Sequence, residues 1–319
     1  MKKEIERKMK KFVSVDSGKY ATKALIKAGD NSKKISFRTK MDETLEDKSS
    51  DAKSCVFEYG KNKVIIGEEA ETADYDKSKA KDIHKYSTYA AIAQLVDDGD
   101  TIGLAIGCPL SIYHNVEERK AYKNFMVDEG KISVILNGKS KTFTVEKTIV
   151  CPEGSGIIYK NPAKYKNSLV GIIDIGGLNS NCCIYDKLTP VKSTCVTTNL
   201  GANIMRNELK LKLNSAFPEV NLNDWQMEDV IQKGYIKSRK EESEVIISEF
   251  LQRHVNAILQ ECVKKGWDIK NIDLIFVGGG SKLFENEIKK MIPDAEISAT
   301  AEWDNVEGFA ELGAVKYGK

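Results

Sequence analysis

Two stretches, FVSVDSGKYATKALI at Phe12–Ile26 and LVGIIDIGGLNSNCCIY at Leu169–Tyr185, share one pattern. Each is an apolar run into an aspartate (Asp16 or Asp174), with a glycine two residues later and small or polar residues leading into a second run. An apolar run of this length stopped by glycine reads as a buried strand with a turn after it into a second strand. The aspartates stand about half of the 319-residue chain apart, so the pattern reads as a duplicated strand–turn–strand.

The chemistry of these turns suits phosphate. Gly18, Gly176 and Gly177 allow successive backbone N–H groups to point at an anion with no Cβ in the way. Lys19 adds a positive charge, and the Ser17 hydroxyl and Asn179 amide add neutral donors. Carboxylates next to a polyphosphate repel it unless a cation lies between, so Asp16 and Asp174 imply Mg²⁺ held through its waters. The plain alternative is two surface hairpin turns; their repetition, each after a buried strand, weighs for a nucleotide site. Gly138-Lys139-Ser140 resembles the end of a P-loop, but position 133 is serine and Asn137-Gly138 marks a hairpin. Gly278-Gly279-Gly280 comes after the apolar run DLIFV and precedes SKLFENEIKK, a turn that lets a flat base or ribose approach bare backbone.

Working outward, the first half predicts strands at Phe12–Asp16, Thr22–Lys27, Lys33–Arg38, Ser54–Tyr59, Lys63–Gly67 and Thr101–Ile106. Helices are predicted at Ser78–Val96 and Val116–Met126, with Pro109 opening the connection between Thr101–Ile106 and the second of them. The second half predicts strands at Leu169–Asp174, over CCIYD, around Val191–Thr197 and at Asp273–Val277. Its helices are predicted near Gly201–Leu213, Asp224–Gln232, Glu241–Lys265 and Val306–Tyr317. The polar stretch NPAKYKN at Asn161–Asn167 reads as the linker, and Lys40–Ser54 as a variable surface loop.

Composition bounds the function. Hydrophobic residues are 41% and charged residues 30%, which supports a buried core and excludes a disordered chain. With 49 basic and 47 acidic residues the net charge is +2, so no global field draws the chain to nucleic acid. The seven cysteines include no C-x-x-C, and the three histidines lie far apart, which reads as reduced thiols and no zinc cage. The first residues, MKKEIERKMKKFVSVD, are basic without the apolar run of a signal peptide, and no stretch approaches a membrane span. Ile5, Met9 and Phe12 could line an amphipathic face, but a charged lead-in to the first strand is the better reading. The expected compartment is the cytoplasm.

The ordered set of segments resembles the actin, sugar-kinase and heat-shock chaperone ATPase superfamily. Its first phosphate loop is similar to DSGKYATK (Asp16–Lys23), its second to DIGGLNSN (Asp174–Asn181), and its adenosine loop to VGGGSKLF (Val277–Phe284). The connecting segments resemble CPEGSGIIY (Cys151–Tyr159) and EGFAELGAVKY (Glu307–Tyr317). Short length and YIKSRKEESEVI (Tyr235–Ile246) point within it to ParM-like plasmid-segregation actins. Asn179 stands where relatives usually carry threonine. The resemblance implies a duplicated α/β, ribonuclease H-like fold with two domains flanking a nucleotide cleft. The expected division is 1–166 and 167–302, with a C-terminal helix at 303–319 returning to the first domain.

By the same resemblance the protein is an ATPase that polymerises with ATP–Mg²⁺ and separates plasmid copies. Its implied partners are further copies of itself and a ParR-like DNA-binding adaptor on a centromere-like site, with no direct nucleic-acid or membrane contact. Ser17, Gly18, Lys19, Gly176, Gly177 and Asn179 would hold phosphates, Asp16 and Asp174 the cation. Gly201, Gly278, Gly279, Gly280 and Ser281 would meet the nucleoside, with ATP and GTP both open. Glu153 would orient the attacking water; bottom-up, a carboxylate near two phosphate turns can accept its proton, and otherwise it sits near a helix start. The rivals are a small-molecule kinase on the same fold and a non-segregation actin-like scaffold. KSRK (Lys237–Lys240) reads as a solvated helix end, the single cysteines as core or surface thiols, and Trp225, Trp267 and Trp303 as packing or interface anchors.

Overall fold

The computed structural model describes residues 11–29, 31–76 and 78–317, and the chain divides into two compact units. One comprises Met1–Pro152 with Asn305–Lys319, the other Glu153–Asp304. Of the lead-in, Ile5 and Met9 lie outside the described residues. No helix of the described residues is long and apolar enough to cross a membrane.

The first unit holds β1 (Lys11–Ser17), β2 (Ala21–Ala28), β3 (Asn31–Arg38), β4 (Met41–Glu43), β5 (Ser54–Tyr59), β6 (Asn62–Gly67), β7 (Asp100–Cys108), β8 (Gly130–Leu136) and β9 (Lys139–Pro152). They form one sheet in the order β3-β2-β1-β7-β9-β8-β5-β6-β4. β1 lies between β2, antiparallel, and β7, parallel, and its Phe12–Val15 are buried, as an unbroken apolar run in a central strand requires. Asn137 and Gly138 both take positive φ, the turn that brings β8 back as β9. Lys40–Ser54 is not all loop: its start forms β4, the sheet's edge strand on β6.

Helices α1 (Asp82–Leu95), α2 (Leu110–Tyr113) and α3 (Val116–Met126) complete the unit's first segment. Every residue of α1 from Tyr86 to Ala93 is buried, the pattern of a helix covered on all sides. It starts later than its apolar spacing predicts, because Lys81 is still extended and the segment before it turns Lys79 and Lys81 towards carboxylates.

The second unit holds β10 (Leu169–Ile175), β11 (Ser180–Asp186), β12 (Thr189–Pro190), β13 (Val196–Thr198), β14 (Asp273–Val277) and β15 (Glu296–Ile297). Their order is β12-β11-β10-β14-β15, with β13 also on β11. Its helices are α4 (Gly156–Lys160), α5 (Pro162–Tyr165), α6 (Ala202–Ala216), α7 (Asp224–Lys233), α8 (Lys240–Lys264), α9 (Gly279–Leu283) and α10 (Glu285–Met291). On α8, Ile247, Leu251, Val255, Ile258, Leu259 and Cys262 recur at helical spacing and are buried in this unit's core.

Two expectations fail here for local reasons. The strand expected around Val191–Thr197 is broken, since Lys192–Thr194 winds into a 3₁₀ turn and only Val196–Thr198 pairs with β11. Thr194 stabilises that turn by donating to the Val191 carbonyl (2.7 Å) while accepting from the Ile184 amide (3.0 Å). The stretch NPAKYKN is not a bare linker either: Pro162 opens α5, and Tyr165 is buried.

The last helix, α11 (Asp304–Tyr317), packs in the first unit, with Val306, Phe309 and Ala310 buried. Ser14 of β1 donates its hydroxyl to the Val306 carbonyl at 2.7 Å. Gly313 lies so close to Phe12 that a Cβ there would stand 2.0 Å from the ring. An exposed helical Gly→Ala change gains about 0.5–1 kcal/mol, whereas forcing a methyl into a packed core costs about 1–3. Gly313→Ala is therefore expected to lower thermal stability, by about 1–2 kcal/mol net; a raised Tm would show that the helix shifts freely over β1.

Candidate functional site

In both units a central strand ends in an aspartate beside a glycine of its parallel neighbour. The register of β1 on β7, Val15 opposite Ile106, brings Asp16 beside Gly107. A Cβ on Gly107 would lie 3.2 Å from Asp16 Oδ1 and 3.3 Å from the Phe309 ring. In the second unit Asp174 pairs with Val277, and the next residue, Gly278, has φ +82. A Cβ there would stand 2.2 Å from Asp174 Oδ1 and 2.6 Å from the Ile175 carbonyl. Each glycine makes room for a carboxylate at a strand end.

Around Asp16 the first unit builds a polar cluster. Asn305 Nδ2 donates to Asp16 Oδ2 at 3.0 Å, and buried Lys79 brings its Nζ to 3.9 Å from Oδ1. Asp16 Oδ1 is itself buried with no hydrogen-bond partner, an unusual state for a carboxylate oxygen. Lys19 is buried and its ammonium reaches Asp74 at 3.1 Å, so it is already paired rather than held open for a ligand. Burial lowers its pKa, against the pull of Asp74. Burial alone would raise the Asp74 carboxyl. Hydrogen bonds from His84, Lys81, the Asp76 amide and Lys19 outweigh it and hold the group well below the carboxylate range.

His84, fully buried, joins this cluster to the turn. Its Nε2 lies 3.1 Å from Asp74 Oδ2 and its Nδ1 3.0 Å from Ser17 Oγ. Burial, with the nearby Lys79 and Lys19 charges, lowers its pKa, so the ring is neutral at pH 7. An ionised Asp74 can only accept, which puts the ring proton on Nε2 and makes Nδ1 accept from Ser17. The Ser17 hydroxyl is thus committed to His84. Gly18 is required there for another reason: a Cβ would meet the Ala21 carbonyl at 2.7 Å.

The second unit's turn is closed by Gly176 N donating to the Asn179 carbonyl at 2.9 Å. The first amides of α6 then fasten on it: Ala202 N donates to Gly176 O at 2.9 Å and Asn203 N to Gly177 O at 2.7 Å. Gly201 fits because any Cβ would stand 2.3 Å from Leu178 C, so packing against the turn accounts for this glycine. Glu153 is buried and accepts from Asn181 Nδ2 at 3.3 Å, and Asn181 Oδ1 accepts from Thr197 Oγ1 at 2.8 Å. A Cβ on Gly154 would touch the Asp174 Cβ at 3.4 Å, which brings the P-E-G segment against the strand-end carboxylate.

The glycine triplet divides by role. Gly278 and Gly280 are demanded by packing, since a Cβ on Gly280 would stand 2.5 Å from Ile175 Cγ2. A Cβ on Gly279 would meet only Glu302, at 4.0 Å, so of the three it alone leaves near-bare backbone. Ser281 is fully buried and donates its hydroxyl to the Val277 carbonyl, holding α9 rather than facing a ligand.

KSRK is mostly a 3₁₀ turn leading into α8, and Arg239 pairs with Glu219 at 2.7 Å. Trp267 is buried, its Nε1 donating to the Thr194 carbonyl at 2.8 Å, while Trp225 is exposed. Sequence reasoning missed Asp74, Lys79, His84 and Asn305, whose partners at the first turn lie far away in the chain. Asn181 carried a signal, since it stands two residues after Asn179, at strand spacing.

Residues 14–156 match the family described as actin-like proteins, N-terminal domain. Among solved structures the chain is similar to the Alp12 filament structure, at 24% identity over 97% of this chain and 99% of that one, TM-score 0.73. An archaeal actin homologue, Ta0583, in complex with ADP aligns at 18% identity over 96% of this chain and 99% of its own, TM-score 0.74. The apo ParM protein of psk41 gives 13% identity over 97% and 98%, with TM-score 0.70. No curated protein sequence matches significantly. The chain thus has the actin-like fold over nearly its whole length, and residues 14–156 resemble the N-terminal domain of the actin-like proteins.

The buried, neutral state of His84 has a consequence in acid. Its folded pKa lies below the ordinary 6.5, so the unfolded chain binds more protons. Stability is full above about pH 6.5 and declines as the pH falls towards the lower folded pKa. Asp74 acts in the same sense only below about pH 4. Tm should drop by several degrees between about pH 7.5 and 5, and less steeply in His84→Gln. His254, lowered mainly by burial, is the second unit's contributor, separable with His254→Gln. Equal slopes in wild type and His84→Gln would show that folding does not lower the His84 pKa.

Proposed function

We propose that the chain binds ATP–Mg²⁺ through its two aspartate–glycine turns, hydrolyses it, and assembles into cytoplasmic filaments that segregate plasmid DNA through a DNA-binding adaptor. The observation that carries this reading is the matched pair of strand-end carboxylates, each with a glycine cut away beside it and a glycine-bearing turn after it. The likeness to a filament structure and to an actin homologue crystallised with ADP supports it.

The donor set fits a hard cation. Asp16 presents a buried oxygen without a hydrogen-bond partner, and Asp174 is a second carboxylate at the equivalent strand end. In this reading the two would orient water ligands of Mg²⁺, which when bound neutralises developing charge on the phosphates. Backbone amides of Ser17–Lys19 and Gly176–Asn179 would cradle phosphate oxygens. The Lys19 ammonium would exchange Asp74 for phosphate, and Asp74 would keep His84 and Lys81 as partners. Glu153, steadied by Asn181, would take the proton of the attacking water, while Gly279 offers bare backbone to the nucleoside.

Three outcomes test the reading. Asp16→Ala and Asp174→Ala should each weaken Mg²⁺–nucleotide binding in calorimetric titration; unchanged affinity in both would remove the site. Light scattering should rise with ATP–Mg²⁺ above a critical concentration, whereas sugar-stimulated turnover without assembly would favour a kinase. Glu153→Ala should bind ATP and polymerise but hydrolyse about 10²–10⁴-fold more slowly, so its filaments persist. Full phosphate release by that variant would make Glu153 a bystander.

A further inference from the structure

The second unit carries a thiol pair that the nucleotide reading does not use. β11 and β13 pair antiparallel, with Ser180 opposite Thr198, Asn181 opposite Thr197 and Cys182 opposite Val196. One further step in that register sets Cys183 opposite Cys195, where directly facing side chains have Cβ atoms about 4.5–5.5 Å apart. The two sulfurs are 2.7 Å apart. Strand alternation turns the neighbouring Cys182 to the other face, where it interacts with Cys262 of α8.

We propose that Cys183 and Cys195 form a redox-active dithiol, which hydrogen peroxide converts into an intrachain, cross-strand disulfide. The Cys195 sulfur is the attacking one: it is partly exposed, whereas Cys183 is buried. The Cys183 S–H donates towards Cys195, which lowers the Cys195 pKa, and the same contact together with burial keeps Cys183 protonated. Burial instead pushes the Cys55 and Cys151 thiols up to about 12, leaving them unreactive.

The chemistry balances in two steps. The Cys195 thiolate attacks one peroxide oxygen, the O–O bond breaks, and hydroxide leaves and takes up a proton as water, giving a sulfenic acid. The Cys183 sulfur then attacks the Cys195 sulfur; the S–O bond breaks and the hydroxyl departs with the Cys183 proton as a second water. Two thiols are oxidised and one peroxide is reduced to two waters. Closure needs the sulfurs to approach to about 2.05 Å, a small movement from their present separation. The bond would staple β11 to the strand that leads through Leu200 into Gly201 and α6.

The test is peptide mapping of the full chain after hydrogen peroxide treatment and alkylation, without reductant. Trypsin cuts at Lys187 and Lys192, so Cys183 and Cys195 fall on separate peptides, 167–187 and 193–206. The expected product is those two peptides joined, lighter by two hydrogens than their sum and separated by dithiothreitol. Cys183→Ser and Cys195→Ser should each abolish it, whereas Cys182→Ser and Cys262→Ser should leave it. Full alkylation of both thiols after peroxide, a Cys182–Cys262 cross-link in its place, or sulfinic acid on Cys195 without a cross-link would overturn the proposal.

Discussion

A carboxylate at the end of a buried central strand has to be given room and partners, and much of both units is arranged to do so. Removing such a charge from water costs several kcal/mol unless it is paired or hydrogen-bonded. Asp16 receives Asn305 from the last helix and the nearby Lys79 ammonium, and Gly107 leaves the space it occupies. Asp174 has Gly278 and Gly154 against it. The same constraint governs the neighbouring parallel strands, which must each present a residue without a side chain at that level, and it fixes where α11 docks on β1. A core alone gives no reason to leave the buried Oδ1 of Asp16 without a hydrogen bond, with Lys79 only at ion-pair distance.

The cluster behind the first turn shows how such a site is held ready. Asp74 collects Lys19, Lys81 and His84, and His84 in turn fixes the Ser17 hydroxyl. Such a network is stable only when complete, since deleting one member strands a charge in a buried place at a cost of about 3–5 kcal/mol. Asp74 holds Lys19 as one of several donors rather than its only one.

The fold was legible because the sequence repeats its own logic. Apolar runs into Asp16 and Asp174, the Asn137-Gly138 hairpin and the α8 spacing each obey short-range rules, and the strands Ser54–Tyr59 and Asp273–Val277 form as read. What local pattern missed was set by distant partners. α1 starts late because Lys79 and Lys81 turn towards carboxylates, and the strand before Val196 gives way to a 3₁₀ turn pinned by Thr194. At the site, glycines pointed correctly to close approach but not to what approaches: Gly201, Gly278 and Gly280 face protein, and only Gly279 is left nearly open. His84 stood isolated in the sequence, and no spacing announces a residue whose partners lie 10 and 67 positions away.

The attachment of α6 to the second turn carries a mechanical consequence. Two of the helix's leading amides are tied to the carbonyls of Gly176 and Gly177, so turn and helix move as one body. α6 has 15 residues and is therefore a rod about 22 Å long. A tilt imposed at its tied end sweeps its far end through a wider arc, and that far half displays Leu211 on the outer surface. Any adjustment of the turn would therefore be read at an exposed apolar side chain, with the helix as its pointer.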